Sequence, residues 1–104
     1  SKIASCRVQL ERDEISEKLE VQVSQCKFKV TEANRRLTLA RKNVENAEEN
    51  LRCANVGFKE GVLQTTDVMA AQTAWLQAQS QKIDAEIDVR LSQVNLKKAL
   101  GVLQ

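Results

Sequence analysis

The residues that could perform chemistry in this sequence are few, and their spacing does not favour a catalytic or metal site. The chain contains no histidine, which removes the commonest general base and a frequent metal ligand. Its cysteines, Cys6, Cys26 and Cys53, lack the Cys-x-x-Cys spacing of zinc and iron–sulfur sites. We therefore expect no metal site, no cofactor and no enzymatic activity.

An acidic group and a pair of glycines also draw attention, but both have a simpler structural explanation. On a helix, Asp84 and Asp88 share a face while Glu86 points away, which is typical of a solvated surface. Gly57 and Gly61 are not followed by the Gly-Lys-Ser/Thr sequence of a phosphate-binding loop. Neither group predicts a ligand.

The composition indicates long, closely packed helices rather than a thick globular core. The 104 residues include no proline, three glycines, 3% aromatic residues and 29% charged residues. This length limits the chain to one domain. The net charge is +2 and the two signs are interleaved, so nucleic acid is not expected as a partner.

Apolar or small residues recur in the first part of the chain at alternating steps of four and three residues. Such a heptad pattern, sustained over about five repeats, predicts a coiled-coil helix, here at about residues 2–60. The spacing also predicts an ion pair between Glu48 and Arg52. We call the heptad positions the inner seam; they are Leu19, Val23, Cys26, Val30, Ala33, Leu37, Ala40, Val44, Ala47, Leu51, Ala54 and Phe58.

The convincing break in this pattern is at Gly61. Glycine can adopt the left-handed backbone conformation that commonly ends a helix. Thr65 or Thr66 can cap a second helix, and Asp67 then lies in its first turn, near the positive end of the helix dipole. We predict a turn at about residues 60–66.

The second helix is predicted at about residues 66–101, closed by Gly101, and it carries two apolar stripes. The inner stripe comprises Val68, Ala71, Trp75, Ala78, Ala85, Val89, Leu96, Ala99 and Leu103, with Lys82 and Ser92 in two of its places. The outer stripe comprises Met69, Leu76, Ile83, Ile87 and Val94. A helix needs two stripes when it has neighbours on two sides, as in a wall of helices.

These features predict an all-α fold, a long antiparallel two-helix coiled-coil hairpin with unequal arms. The shorter arm should bring Leu100 back to the neighbourhood of Cys26, leaving residues 1–25 without a partner in the chain. We therefore interpret residues 1–104 as one hairpin excised from a larger protein. Its uncovered apolar surface predicts that the isolated segment forms a dimer or a larger assembly.

The segment from Phe58 to Gln72, FKEGVLQTTDVMAAQ, resembles the periplasmic hairpin tip of the TolC-type outer-membrane efflux channel family. That tip has an aromatic residue, two variable residues, a glycine and a hydrophobic residue, followed by a stretch like Asp-Val-Leu-x-Ala-Gln. The matching residues are Phe58, Gly61, Val62, Asp67, Val68, Ala71 and Gln72, with Met69 in place of the common leucine. The resemblance extends over about residues 40–101.

The resemblance implies a trimeric multidrug efflux channel in the outer membrane, with this hairpin at the periplasmic entrance of its tunnel. Glu60, Gly61 and Val62 would then dock a periplasmic adaptor protein, which connects the channel to an inner-membrane pump. Phe58, Leu63 and Asp67 would lie at the gate. Leu63 and Ala70 stand where some members carry charged residues, so we expect hydrophobic packing of Phe58 and Leu63 to close the entrance.

Two other classes of protein are compatible with a helical hairpin. One is a structural or scaffolding coiled coil that binds partner helices without transport, and the other is the hairpin of an adaptor. Adaptor hairpins have arms of similar length, unlike the arms predicted here. A simple two-stranded scaffold needs one seam, whereas residues 68–103 carry two stripes. The sequence therefore favours the channel.

Overall fold

Two α-helices account for nearly all of the chain that the structure describes. The computed structural model describes residues 2–103, apart from the side chain of Leu103. Helix α1 spans Lys2–Lys59 (58 residues) and helix α2 spans Thr65–Leu103 (39 residues). The predicted all-α hairpin, with unequal arms and a turn near residues 60–66, is confirmed. Ser1 and Gln104, at the ends of the predicted domain, lie outside the described residues.

The inner seam is the buried face of helix α1, as the heptad pattern predicted. Seven of its positions are buried and four, Leu19, Cys26, Val30 and Leu51, are half-buried. Phe58, the last position, is exposed. The first glycine in α1 is Gly57 and no proline occurs, so its backbone is free of helix-breaking residues up to its last turn. The buried positions are Val23, Ala33, Leu37, Ala40, Val44, Ala47 and Ala54.

The chain divides into two compact units, and the first of these, Ala33–Val89, contains the turn. Its core consists of small residues from both helices. One cluster joins Leu37 with Ala33, Ala40, Ala85 and Val89, and a second joins Val44, Ala47 and Ala78. Trp75 packs against the second cluster, as its place on the inner stripe predicted. Alanine at so many contact positions permits close approach of the two helix axes.

The other unit combines α1 up to Glu32 with α2 from Arg90 onward. In this unit Val23 is buried and Leu19 is half-buried, so burial of the seam extends beyond the expected limit near Cys26. Helix α2 continues past Gly101, where the sequence predicted its end, to Leu103. The apolar residues before Leu19 are exposed, namely Ile3, Val8, Leu10 and Ile15.

The two stripes of helix α2 differ in burial. The inner stripe is buried or half-buried from Val68 to Ala99, including Lys82 and Ser92, and the side chain of Leu103 lies outside the described residues. The outer stripe is exposed at every position, with fractions between 49% for Val94 and 60% for Leu76. One apolar face of α2 is therefore covered by α1, and a second face is open.

Candidate functional site at the hairpin turn

Helix α1 ends in a Schellman motif centred on Gly61. The N–H of Val62 donates to the carbonyl of Gly57 at 2.8 Å, and the N–H of Gly61 donates to the carbonyl of Phe58 at 3.1 Å. These are the two bonds that define the motif, and its left-handed residue is Gly61, with φ of 75°. The predicted role of Gly61 as the helix terminator is confirmed.

Gly57 has a different role from Gly61, because glycine is required at position 57 for a steric reason and at position 61 for its backbone dihedral angle. A β-carbon built on Gly57 would lie 2.7 Å from Leu63 Cδ1 and 2.9 Å from Leu63 Cγ, closer than such atoms pack in proteins. A β-carbon on Gly61 would meet nothing within 4 Å. Leu63 therefore rests on the bare backbone of Gly57, whereas Gly61 faces open space.

The carbonyl of Gly57 reinforces this contact. Besides the bond from Val62, it accepts the N–H of Leu63 at 3.1 Å. Two successive amides of the turn thus converge on one carbonyl in the last turn of α1. The spacing of Gly57 and Leu63 contains no motif that would have revealed the contact.

Helix α2 begins with a reciprocal hydrogen-bond arrangement between Gln64 and Asp67. The N–H of Gln64 donates to Asp67 Oδ2 at 2.9 Å, and the N–H of Asp67 donates to the carbonyl of Gln64 at 3.0 Å. This is the part of a capping box in which an N3 carboxylate accepts from the N-cap amide. Gln64 is therefore the N-cap residue, and the expected cap at Thr65 or Thr66 is wrong, because both lie inside the first helical turn.

The three residues predicted to dock an adaptor lie side by side at the apex of the turn. Glu60, Gly61 and Val62 are all exposed, and the Val62 side chain is 75% exposed. The apex therefore has open space beside Gly61 and an apolar side chain, Val62, that projects into solvent.

The three residues predicted at the gate occupy different positions in the same turn. Phe58 lies on the last turn of α1 and is 48% exposed, and Leu63 is 37% exposed where it rests on Gly57. Asp67 lies in the first turn of α2 and is exposed, with one carboxylate oxygen bonded to Gln64. Leu63 and Asp67 are thus held by contacts within the turn itself.

A small cluster of polar side chains lies near the end of α1. Arg52 Nη2 and Nε donate to the two carboxylate oxygens of Glu49, at 2.6 and 3.0 Å, and the thiol of Cys53 lies 3.6 Å from the same carboxylate. The predicted partner of Arg52, Glu48, is wrong, because the fork of Arg52 matches both oxygens of Glu49. The hydrogen bonds and positive charge of Arg52 lower the pKa of Glu49.

Neither a metal site nor a membrane-spanning helix is found within residues 2–103. No group of three or more histidine, cysteine or acidic residues in that range could hold a metal ion. Within the same range, neither helix contains a stretch long and apolar enough to cross a membrane.

The fold and the turn define a class of protein, namely long coiled-coil hairpins with an exposed apolar side chain at the tip and an open helix face. The particular family follows from comparison with known proteins, because a family model described as outer membrane efflux protein matches residues 8–102. The chain belongs to this outer-membrane efflux family, and the predicted resemblance is confirmed. No curated protein and no solved structure matches the chain.

Proposed function

We propose that this hairpin forms the periplasmic entrance of a trimeric outer-membrane efflux channel and contributes to its tunnel wall. The observation that carries the proposal is the turn, a tip closed by backbone hydrogen bonds with Val62 exposed, in a chain of the outer-membrane efflux family. A tip that only reversed the chain would not need an exposed apolar side chain at its apex. The hairpin itself performs no catalytic step and uses no cofactor.

The outer stripe of α2 supports the proposal that the hairpin forms part of the tunnel wall. Its five apolar side chains, from Met69 to Val94, are about half exposed or more, while the inner stripe is covered by α1. Apolar side chains repeated along one helix face usually mark an interface. We propose that the outer stripe packs against neighbouring helices of the trimer, and that the exposed start of α1 is covered in the same way.

The tip supports docking of a periplasmic adaptor, which would couple the channel indirectly to an inner-membrane pump. Gly61 offers close backbone approach and Val62 offers an apolar contact. Such a small contact suits the end-on meeting of two helical hairpins. Glu60, beside them, contributes a charged rim to the docking point.

A photo-crosslinking residue at Val62 tests the docking, with the same residue at Val102 as the matched control. Both are exposed valines, 75% and 66% respectively, and Val102 lies in the last turn of α2. In the full-length protein in cells, we expect Val62 to form an adduct with the hairpin of a periplasmic adaptor, identified by peptide mass spectrometry. Adaptor adducts at Val102 alone, or at neither position, would instead support a scaffolding coiled coil.

The gate follows from the same turn. We propose that the apolar side chains of Phe58 and Leu63 narrow the entrance, while Asp67 contributes through its position near the constriction. The hydrogen bond from the Gln64 N–H to Asp67 Oδ2 supports these separate roles, because it already engages that carboxylate oxygen within its own turn.

Conductance of the purified channel in planar bilayers tests the apolar gate. We expect Leu63→Ser to raise the conductance of the resting channel, because a polar side chain weakens an apolar closure. Asp67→Asn should have a smaller effect, since the amide oxygen can still accept from Gln64. If Asp67→Asn alone opened the channel, the gate would be electrostatic and the proposal would be wrong.

A further inference from the structure

The space above Gly57 is the feature of this molecule that the proposed function does not yet use. Gly57 is half-buried in the last turn of α1, where alanine is the better helix former. A left-handed backbone conformation explains the glycine at position 61 but not the one at position 57, because the positive φ belongs to Gly61. The structure therefore requires another reason for glycine at position 57.

That reason is the Leu63 side chain, which occupies the volume of the missing β-carbon. Two of its atoms, Cδ1 and Cγ, would lie within 3.0 Å of a β-carbon on Gly57, and its Cβ would lie at 3.5 Å. Movement of the terminal methyl alone cannot relieve both contacts, since Cγ is the branch point of the side chain. Any other residue at position 57 must displace Leu63 as a whole.

The backbone links this side-chain contact to the tip. The Gly57 carbonyl accepts the amides of Val62 and Leu63, so displacement of Leu63 also disturbs the bond that holds Val62. With Leu63 placed against α1, Val62 is the apolar side chain left projecting into solvent, 75% exposed against 37% for Leu63.

We propose that Gly57 is a positioning residue, whose missing side chain seats Leu63 and thereby fixes the direction in which Val62 is presented to a docking partner. This inference rests on the proposed function for the identity of that partner, a helical hairpin of a periplasmic adaptor. The seat itself depends only on the geometry of Gly57 and Leu63.

A double-mutant cycle in the full-length protein tests the seat, with hydrogen exchange of the Val62 and Leu63 amides as the measurement. We expect Gly57→Ala to accelerate exchange of both amides roughly tenfold, which is what losing much of a leucine's burial is worth. In a Leu63→Ala background the same change should alter exchange by less than about twofold, because an alanine Cβ at 3.5 Å is in ordinary contact.

Gly101→Ala is the matched control, since a β-carbon on that helical glycine meets nothing within 4 Å. We expect it to leave exchange at the tip unchanged. Unchanged or slower exchange in Gly57→Ala would overturn the proposal, because helix propensity would then outweigh any displacement of Leu63.

The photo-crosslink at Val62 separates positioning from a general loss of structure. In Gly57→Ala we expect the adaptor adduct to fall at least fivefold while the melting temperature of the protein is not lowered, because alanine favours the helix. An unchanged adduct yield would overturn the positioning role. If the crosslinking residue at position 62 gave no adaptor adduct in the protein with Gly57 unchanged, the docking function and with it this positioning role would be wrong. The exchange cycle would still decide whether Leu63 rests on Gly57.

Discussion

Leu37 and Leu39 offer a matched test of the inner seam, because they are the same residue type two positions apart in α1. Leu37 is 8% exposed and shares a cluster with alanines at 33, 40 and 85 and with Val89. Leu39 is 60% exposed. Each Leu→Ala change has nearly the same effect on helix propensity, so the difference between the two variants reports burial alone.

The expected magnitude follows from these exposures. Leu37→Ala removes three carbon atoms from a nearly buried site, which costs about 2 kcal/mol in transfer free energy, plus a cavity term. Side chains among the described residues are not fully buried, so the helices can close part of the cavity. We expect a total of roughly 2–3 kcal/mol for Leu37→Ala and about 1 kcal/mol or less for Leu39→Ala.

Urea unfolding of the 104-residue chain, followed by circular dichroism, measures the difference. The midpoint for Leu37→Ala should fall roughly 1 M or more below that of Leu39→Ala, at an unchanged slope. Because association would add its own stability, the comparison requires concentrations at which sedimentation shows one species. Equal midpoints for the two variants would refute the assignment of the inner seam, and a larger effect at Leu39 would place the core on the opposite face of α1.

Three further outcomes are expected from the same geometry. Gly61→Ala should destabilise the hairpin by about 1 kcal/mol through its positive φ, and Gly61→Asn by less, because asparagine tolerates the left-handed region; equal effects in urea unfolding would contradict this. Arg52 lowers the pKa of Glu49, so the stability from the pair is present above the ordinary carboxyl pKa and is lost as the pH falls through the lowered pKa of Glu49. Arg52→Gln should raise that pKa in an NMR titration, and an unchanged value would show that the pair does not form in solution. The isolated chain should associate through the outer stripe, and Leu76→Glu with Ile83→Lys should weaken that association in sedimentation; a clean monomer before substitution would count against the open face.

The periodic part of the fold could be predicted from the sequence because a helix converts spacing directly into a face. Alternating steps of four and three residues identified the buried positions of α1 from Leu19 to Ala54, and the inner stripe of α2 likewise. The turn at Gly61 was also predictable, since glycine is the residue that the left-handed position of a Schellman motif favours. The family could be recognised from the order of residues around that turn.

Contacts that depend on atoms meeting across the turn could not be predicted in this way. The choice of Glu49 over Glu48 by Arg52 depends on how a forked guanidinium reaches two oxygens, which spacing does not encode. The cap at Gln64 arises because the Asp67 carboxylate reaches back to an amide three residues earlier.

Gly57 shows most clearly what is determined by the sequence and what is determined by the tertiary structure. The sequence determined that a hairpin forms, where it turns and which faces are apolar, because these follow from local preference and periodicity. Only the tertiary structure shows that Leu63 packs against Gly57, because the absence of a β-carbon becomes informative only when the atoms of Leu63 are seen to occupy its position.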